Sequence, residues 1–260
     1  MRQLDEIVEQ GVAERPFTYE VGDATVPGVL WRPEGATRPT PLVIVCHGGT
    51  QHKRSPNVLG LARRLVRHLG YSAASIDAPN HGDRVADPEL ARAARQDLER
   101  RVLDARGAAS APRTMPRDET AWIASHAQAA TELSVLLDQL AADGVADERI
   151  GYWGLSMGTM IGLPFLASEP RVRCAVLGLA CLAGWPGEAQ RREAARSITI
   201  PVLFVLQWDD QLMTRDAGLD LFDAIGSEDK AMHVFPGGHV DTPLYERDAY
   251  DVFFAHHLGA

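Results

Sequence analysis

Short apolar runs alternate along this chain with longer segments whose apolar residues recur at helical spacing. Two early segments, 17–22 and 25–31, predict a pair of strands joined as a hairpin. Continuous apolar runs, typical of strands covered on both faces, lie at 41–46, 72–76, 150–153, 172–179, 201–206 and, more weakly, 231–235. A period near 3.6 residues predicts helices over 56–69, 120–140, 157–166, 216–225 and 246–257. This alternation predicts an α/β fold with a mostly parallel sheet and helices on both faces.

One stretch, 83–118, interrupts this alternation of strands and helices. It contains a strongly charged helical segment over 88–104 and a loop rich in glycine, alanine and proline over 107–116. That length exceeds a simple connection between a strand and a helix. Long insertions at the active edge of a parallel sheet are often lids or binding loops, and a solvated surface excursion is the alternative. We expect one domain, 1–260, with a lid or cap over about 83–118.

Composition limits the classes of partner. The 260 residues carry a formal net charge of −9, whereas nucleic acids and anionic membranes call for a basic surface. Three cysteines without paired spacing are typical of reduced thiols in an intracellular protein. The first residues lack the apolar stretch of a signal peptide, and no apolar run approaches the ~18 residues of a membrane span. We expect a cytoplasmic protein without a nucleic-acid or membrane partner.

The strongest chemical signal is the pentapeptide Gly154-Leu155-Ser156-Met157-Gly158, which matches G-x-S-x-G. It directly follows a predicted strand and directly precedes a predicted helix. The glycines permit a sharp turn that exposes the serine hydroxyl above the sheet, and the helix N-terminus favours negative charge beside it. The pentapeptide alone also occurs by chance, but this context predicts Ser156 as a nucleophile.

A serine nucleophile needs a base within hydrogen-bond reach, and the chain has nine histidines. His239 ends the segment 236–239, a glycine-containing loop after the last predicted strand. It therefore lies at the carboxyl edge, where open α/β sheets gather their ligand-binding groups. His233 falls inside a strand, and His256 and His257 fall in the terminal helix. We predict His239 as the general base.

The acid that orients this base should follow an earlier strand. The strand predicted over 201–206 is followed by two adjacent aspartates, Asp209 and Asp210, whose side chains point in different directions. With either aspartate, the three candidate residues occur along the sequence in the order serine, aspartate, histidine. An oxyanion hole needs backbone N–H donors, and the N–H of Met157 is one candidate because it follows the nucleophile.

The second oxyanion donor should come from the loop after the strand predicted over 41–46. Its sequence is His47-Gly48-Gly49-Thr50. Glycines let the backbone N–H approach a developing oxyanion, so Gly49 is the predicted donor and Thr50 a candidate neighbour of the substrate. We expect His47 to be a structural hydrogen-bonding residue under the loop.

Four motifs together resemble the α/β-hydrolase superfamily, most closely its dienelactone-hydrolase-like and prolyl-oligopeptidase-like esterases. They are His47-Gly48-Gly49, the Ser156 pentapeptide, Gln207-Trp208-Asp209-Asp210 and Pro236-Gly237-Gly238-His239. The resemblance spans about 17–258 and implies an eight-stranded sheet. In those families the acid appears as Gly-x-x-Asp, which favours Asp210, although Gln207 replaces the glycine. Dienelactone hydrolases proper use a cysteine nucleophile, so Ser156 favours ester hydrolysis in general.

The resemblance implies a serine esterase that cleaves a small or medium carboxylic ester through an acyl-enzyme on Ser156, without a cofactor. Candidate substrate contacts are Thr50, Arg54, Trp122, Trp185 and Trp208. Core packing is the alternative for the tryptophans. Arg54, with Lys53 and Arg84, flanks the expected mouth and is a candidate to attract a carboxylate-bearing acyl group, with surface solvation as the alternative.

Two rival functions use the same residues. A thioesterase or acyltransferase would act on an acyl group bound to CoA or a carrier, and a non-catalytic member of the fold would only bind a ligand. A metal centre is not expected, because His47, His52, His81 and Asp83 lack the spacing of known metal-binding motifs. Such enzymes are often homodimers, so a homodimer is a further possibility.

Overall fold

The computed structural model describes residues 1–3, 5–104 and 118–259, and one mixed sheet passes through it. The strands of this sheet are β1 (Arg2–Gln3), β2 (Ile7–Glu9), β3 (Val12–Val21), β4 (Ala24–Pro33), β5 (Thr40–Cys46), β6 (Ser72–Ile76), β7 (Ala146–Gly154), β8 (Val172–Gly178), β9 (Val202–Gln207) and β10 (Lys230–Phe235).

The strand order is β1-β3-β4-β6-β5-β7-β8-β9-β10, with β2 paired to β3 outside this path. Strands β5 to β10 pair in parallel, while β3 and β4 form the antiparallel hairpin that the sequence predicts. The sheet of the described residues therefore has ten strands, and the expected number of eight is wrong. The eight predicted strands are all present; β1 and β2 were missed because two or three residues are too short for a recognisable alternation.

Helices follow the parallel strands and cover both faces of the sheet. They are α1 (Pro56–Leu69), α2 (Pro88–Asp104), α3 (Glu119–Ala142), α4 (Met157–Ser168), α5 (Glu188–Ser197), α6 (Arg215–Ala224) and α7 (Glu246–Leu258). The sequence pattern did not predict α5, because only Arg191 and Ala195 of this polar helix are buried. A short 3-10 turn, Gly82–Arg84, precedes α2.

Two apolar cores, one on each face, hold the helices to the sheet. Along β5, Leu42 and Ile44 belong to the core that also includes residues of α3 and α4. Val43 and Val45 belong to the opposite core, which includes residues of α1 and α7. The apolar residues of β5 are thus buried on both faces, which confirms the interpretation of the continuous apolar runs as central strands.

The interrupted stretch begins as the sequence predicts. The charged segment predicted over 88–104 forms α2, whereas the predicted loop 107–116 lies outside the described residues. In the described part of the chain, no helix is both long and apolar enough to cross a membrane.

Two ion pairs with buried carboxylates anchor the start of the stretch 83–118 to the rest of the protein. Arg84 donates to both carboxylate oxygens of Glu132 at 2.7 and 2.8 Å, and Glu132 is fully buried. Lys53 Nζ donates to the buried Asp77 and to Asp83, each at 2.6 Å. Removing one partner leaves a charge away from water without compensation, which is strongly destabilising.

Replacing Glu132 with leucine should lower the free energy of unfolding by about 3–5 kcal/mol, because the largely buried Arg84 guanidinium loses its counter-charge. Urea unfolding followed by circular dichroism measures this loss. The matched control is Glu89→Leu, which breaks an exposed pair with Arg92 and should cost at most about 1 kcal/mol. Equal losses in the two variants would contradict the anchoring role.

Candidate active site

The backbone of Ser156 is held in a strained turn between β7 and α4. Its φ and ψ angles are 58° and −120°, a region that residues with a side chain rarely occupy. The Ser156 N–H donates to the Gly178 carbonyl at the end of β8, at 2.9 Å. The strain is therefore sustained by the neighbouring strand, and the hydroxyl stands at the carboxyl edge of the sheet.

The two glycines of the pentapeptide are required by close backbone contacts. A Cβ added at Gly154 would lie 2.7 Å from the Gly158 carbonyl carbon and oxygen. One added at Gly158 would lie 2.7 Å from the carbonyl oxygen of Cys46. The turn is thus packed against the end of β5, the strand that carries the predicted oxyanion loop.

His239 and Asp210 complete a hydrogen-bonded chain with Ser156. The His239 Nδ1 atom lies 2.7 Å from Asp210 Oδ2, and its Nε2 atom lies 3.0 Å from Ser156 Oγ. A carboxylate only accepts hydrogen bonds, so Nδ1 donates and Nε2 accepts from the serine hydroxyl. Both His239 and Asp210 are buried. This tautomer is the one a general base for the serine requires.

The geometry separates the two candidate acids. Asp210 Oδ1 accepts from the N–H groups of Leu212 and Met213, both at 2.8 Å, while its other oxygen faces His239. Asp209 is exposed, and its backbone N–H donates to the Gly237 carbonyl at 3.0 Å. Asp210 is therefore the residue placed to orient the imidazole.

Two glutamines that the sequence analysis did not assign to the site fix the histidine loop. Gln211 Oε1 accepts from the backbone N–H of His239 at 2.9 Å. The buried amide of Gln207 donates to the Phe235 carbonyl at 3.1 Å and accepts from the Thr242 N–H at 2.8 Å. The sequence could have indicated a role for Gln207 in the site, because this polar residue ends an apolar strand at a position where related sequences carry glycine.

The predicted oxyanion loop lies beside the start of α4. A Cβ added at Gly49 would lie 4.0 Å from Met157 Cβ, so the two backbones are neighbours. Met157 is the first residue of α4, and its N–H has no partner within the helix. Under the loop, the buried His47 accepts from the Ala78 N–H through Nε2, at 3.1 Å. His47 is thus structural, as expected.

Comparisons with protein-family models and with curated proteins found no match. Among solved structures, a PEG-bound cold-adapted esterase from an Arctic intertidal metagenomic library has 32% sequence identity and a TM-score of 0.78, covering 99% of this chain and 100% of that one. The chain belongs to the α/β-hydrolase superfamily. Likeness to an esterase at this level supports ester hydrolysis as its general activity.

More distant structures share the fold of this hydrolase. Acetyl xylan esterase from Paenibacillus sp. R4 has 17% identity and a TM-score of 0.71, covering 99% of this chain and 88% of that one. An acylaminoacyl peptidase from Pyrococcus horikoshii has 15% identity and a TM-score of 0.64, covering 96% of this chain and 42% of that one. At these identities the likeness shows the shared fold alone.

A cavity of about 990 Å³ opens onto Ser156 of the hydrolase. Thr50, Trp122 and Trp185 line it, and the two indole rings stack with centroids 5.7 Å apart. Further apolar residues of the wall include Met157, Met160, Leu179, Leu212 and Met213. Three of the five predicted substrate contacts thus lie on the cavity wall.

The other two predicted contacts lie elsewhere. Trp208 is about half exposed, outside the cavity, with the Arg215 guanidinium 3.9 Å above its ring. Arg54 pairs with the buried carboxylate of Glu14 and is not part of the cavity wall. The associated cations, Lys53 and Arg84, are held by the ion pairs described above. Sequence proximity to the mouth therefore did not predict which cations are available to a substrate.

Burial lowers the pKa of His47 and of His126 to about 4, from an ordinary value of 6.5. Between these values the unfolded chain binds protons that the folded protein excludes. Folding stability should therefore fall as the pH drops from about 6.5 to 4, by ~1.4 kcal/mol per pH unit for each histidine. Urea unfolding at several pH values measures this slope.

A histidine variant shows how much of this change of stability with pH comes from His126. His126→Gln should reduce the slope by up to ~1.4 kcal/mol per pH unit, the contribution of one proton. An unaltered slope in His126→Gln would mean that His126 binds its proton equally in the folded and unfolded states, which would contradict the lowered pKa.

Proposed function

We propose that this hydrolase cleaves carboxylic esters through a covalent acyl-enzyme on Ser156. The observation that carries the proposal is the chain of two hydrogen bonds from Asp210 through His239 to Ser156, at 2.7 and 3.0 Å. This chain gives the serine a base in the correct tautomer, and the hydroxyl faces a cavity large enough for a substrate. Similarity to an esterase at 32% identity supports the same reaction class.

In the first half-reaction, His239 Nε2 takes the proton of Ser156 while Oγ forms a bond to the ester carbonyl carbon. The carbonyl oxygen becomes an oxyanion that the N–H groups of Met157 and Gly49 stabilise. As this intermediate collapses, the bond to the alcohol oxygen breaks and His239 donates its proton to the leaving alcohol. Asp210 stabilises the imidazolium in between.

In the second half-reaction, water replaces the alcohol. His239 accepts a proton from the water while the water oxygen attacks the acyl carbon. The bond between the acyl carbon and Ser156 Oγ then breaks. The proton returns to Oγ, which releases the carboxylic acid and restores the resting state. No cofactor takes part in this sequence.

The cavity supports a small or medium carboxylic ester as the substrate. Its wall near Ser156 is apolar and aromatic, as is typical of sites for acyl or alkyl groups. Arg95, Leu98 and Glu99 of α2 form part of the same wall. We infer from this that α2, the described helix of the insertion expected over about 83–118, covers part of the cavity as a cap.

Intact mass after treatment with a fluorophosphonate probe tests the nucleophile. The wild type should gain one adduct, because His239 activates Ser156, and Ser156→Ala should gain none. A folded wild type without an adduct would contradict the proposal and favour a protein that only binds its ligand. Matched oxygen esters and thioesters, with and without a thiol acceptor, then distinguish an esterase from a thioesterase or acyltransferase.

The two aspartates provide a matched pair of variants. Asp210→Asn should lower kcat by about 10³- to 10⁴-fold, because the amide no longer favours the required imidazole tautomer. Asp209→Asn should change kcat by only a few fold, since this residue contributes its backbone N–H to the loop. Steady-state kinetics on one ester measure both. Similar losses in the two variants would contradict the assignment of the acid.

A further inference from the structure

Arg247 is a cation on the cavity wall without a carboxylate partner among the described residues. It lies in the first turn of α7. The carboxylates of α7, and the one carboxylate on the described cavity wall, have other partners. These pairs are Glu246 with His233, Asp248 and Asp251 with Arg64, and Glu99 with Arg95. The charge of Arg247 therefore remains available to a molecule in the cavity.

A glycine in α1 makes room for this guanidinium. A Cβ added at Gly60 would lie 2.9 Å from Arg247 Nη1 and 3.4 Å from Cζ. Glycine inside a helix costs about 0.5–1 kcal/mol relative to alanine. The Arg247 guanidinium therefore packs close to the helix backbone at Gly60, and a side chain at this position would displace it.

The donors of Arg247 suit an anionic group. Two buried aromatic residues on the same cavity wall, Trp153 and Tyr250, lie edge to face with ring centroids 6.2 Å apart, and their polar atoms Nε1 and Oη are buried away from solvent. The guanidinium supplies five N–H donors. Such a fork of donors matches a group that is rich in acceptors and negatively charged, and Arg suits a carboxylate best through paired hydrogen bonds.

We propose that Arg247, on the wall of this cavity, binds a carboxylate that the ester substrate carries away from its scissile bond. The substrates are then half-esters of dicarboxylic acids or esters of hydroxy acids. This inference rests on the proposed function at Ser156. The protein has a net charge of −9, so its overall field does not attract an anion and the selection depends on this local cation.

Two matched ester series test the proposal on the full-length protein. The first compares p-nitrophenyl half-esters of adipate and suberate with p-nitrophenyl hexanoate and octanoate, so that only the terminal group of the acyl chain differs. The second compares the butanoyl ester of ω-hydroxyhexanoate with hexyl butanoate, which places the carboxylate on the alcohol. In one series or the other, the wild type should prefer the carboxylate by about 10- to 100-fold in kcat/KM, less at high salt.

Three variants test which residues cause the preference for the carboxylate-bearing ester. Arg247→Gln should lower the ratio of carboxylate to neutral ester by about 10- to 100-fold, and Arg247→Lys should restore part of it. Gly60→Ala should lower the ratio by displacing the guanidinium, while the thermal unfolding midpoint stays the same or rises. Arg215→Gln is the control, because this arginine lies over Trp208, outside the cavity.

The outcomes separate this inference from the function on which it depends. Fluorophosphonate labelling of Ser156 together with equal rates on both members of each pair would overturn the carboxylate site alone. A preference for the carboxylate-bearing ester that persists in Arg247→Gln would also overturn the carboxylate site. Absence of labelling and of ester cleavage would overturn the proposed function, and this inference with it.

Discussion

The left-handed backbone conformation at Ser156 is the constraint on which the rest of the site depends. A side chain at a φ of 58° is unfavourable, and the surrounding structure must maintain it. The Thr159 hydroxyl and the Ser156 N–H both contact the Gly178 carbonyl, at 2.7 and 2.9 Å, while Gly158 lies against the Cys46 carbonyl. The ends of β5, β7 and β8 therefore fix Ser156, the proposed nucleophile, together. The contact at Gly158 also packs this turn against the start of the predicted oxyanion loop after β5.

His239 and Asp210, the proposed base and acid, are oriented by a second set of contacts, between the loops after β9 and β10. The backbone N–H groups of Trp208 and Asp209 donate to the carbonyls of Phe235 and Gly237, at 2.8 and 3.0 Å. The amide of Gln207 spans from Phe235 to Thr242 across the histidine loop. Because these bonds join backbone to backbone or to a buried side chain, the imidazole is positioned before a substrate arrives. Such preorganisation lowers the cost of reaching the transition state.

The sequence predicted the features that depend on strand ends and missed those that depend on tertiary contacts. The positions of Ser156 and His239 follow from which strands are central and where they end. The choice between Asp209 and Asp210 could not follow from spacing, because adjacent side chains diverge according to the conformation of the loop. Arg54 was misplaced because its partner, Glu14, is distant in sequence, on the antiparallel edge of the sheet.

Charge pairing explains why recognition was harder to predict than catalysis. Cations next to the oxyanion loop serve the fold, since Lys53 and Arg84 compensate buried carboxylates that would otherwise destabilise it. Only the cations left unpaired are available for a ligand, and pairing is a property of the three-dimensional structure. Arg247 and Gly60 belong to helices α7 and α1, which carry none of the proposed catalytic groups. Under the proposed carboxylate site, substitutions there should alter which ester binds without moving the strand ends that hold Ser156, so selectivity and reactivity would depend on separate parts of this fold.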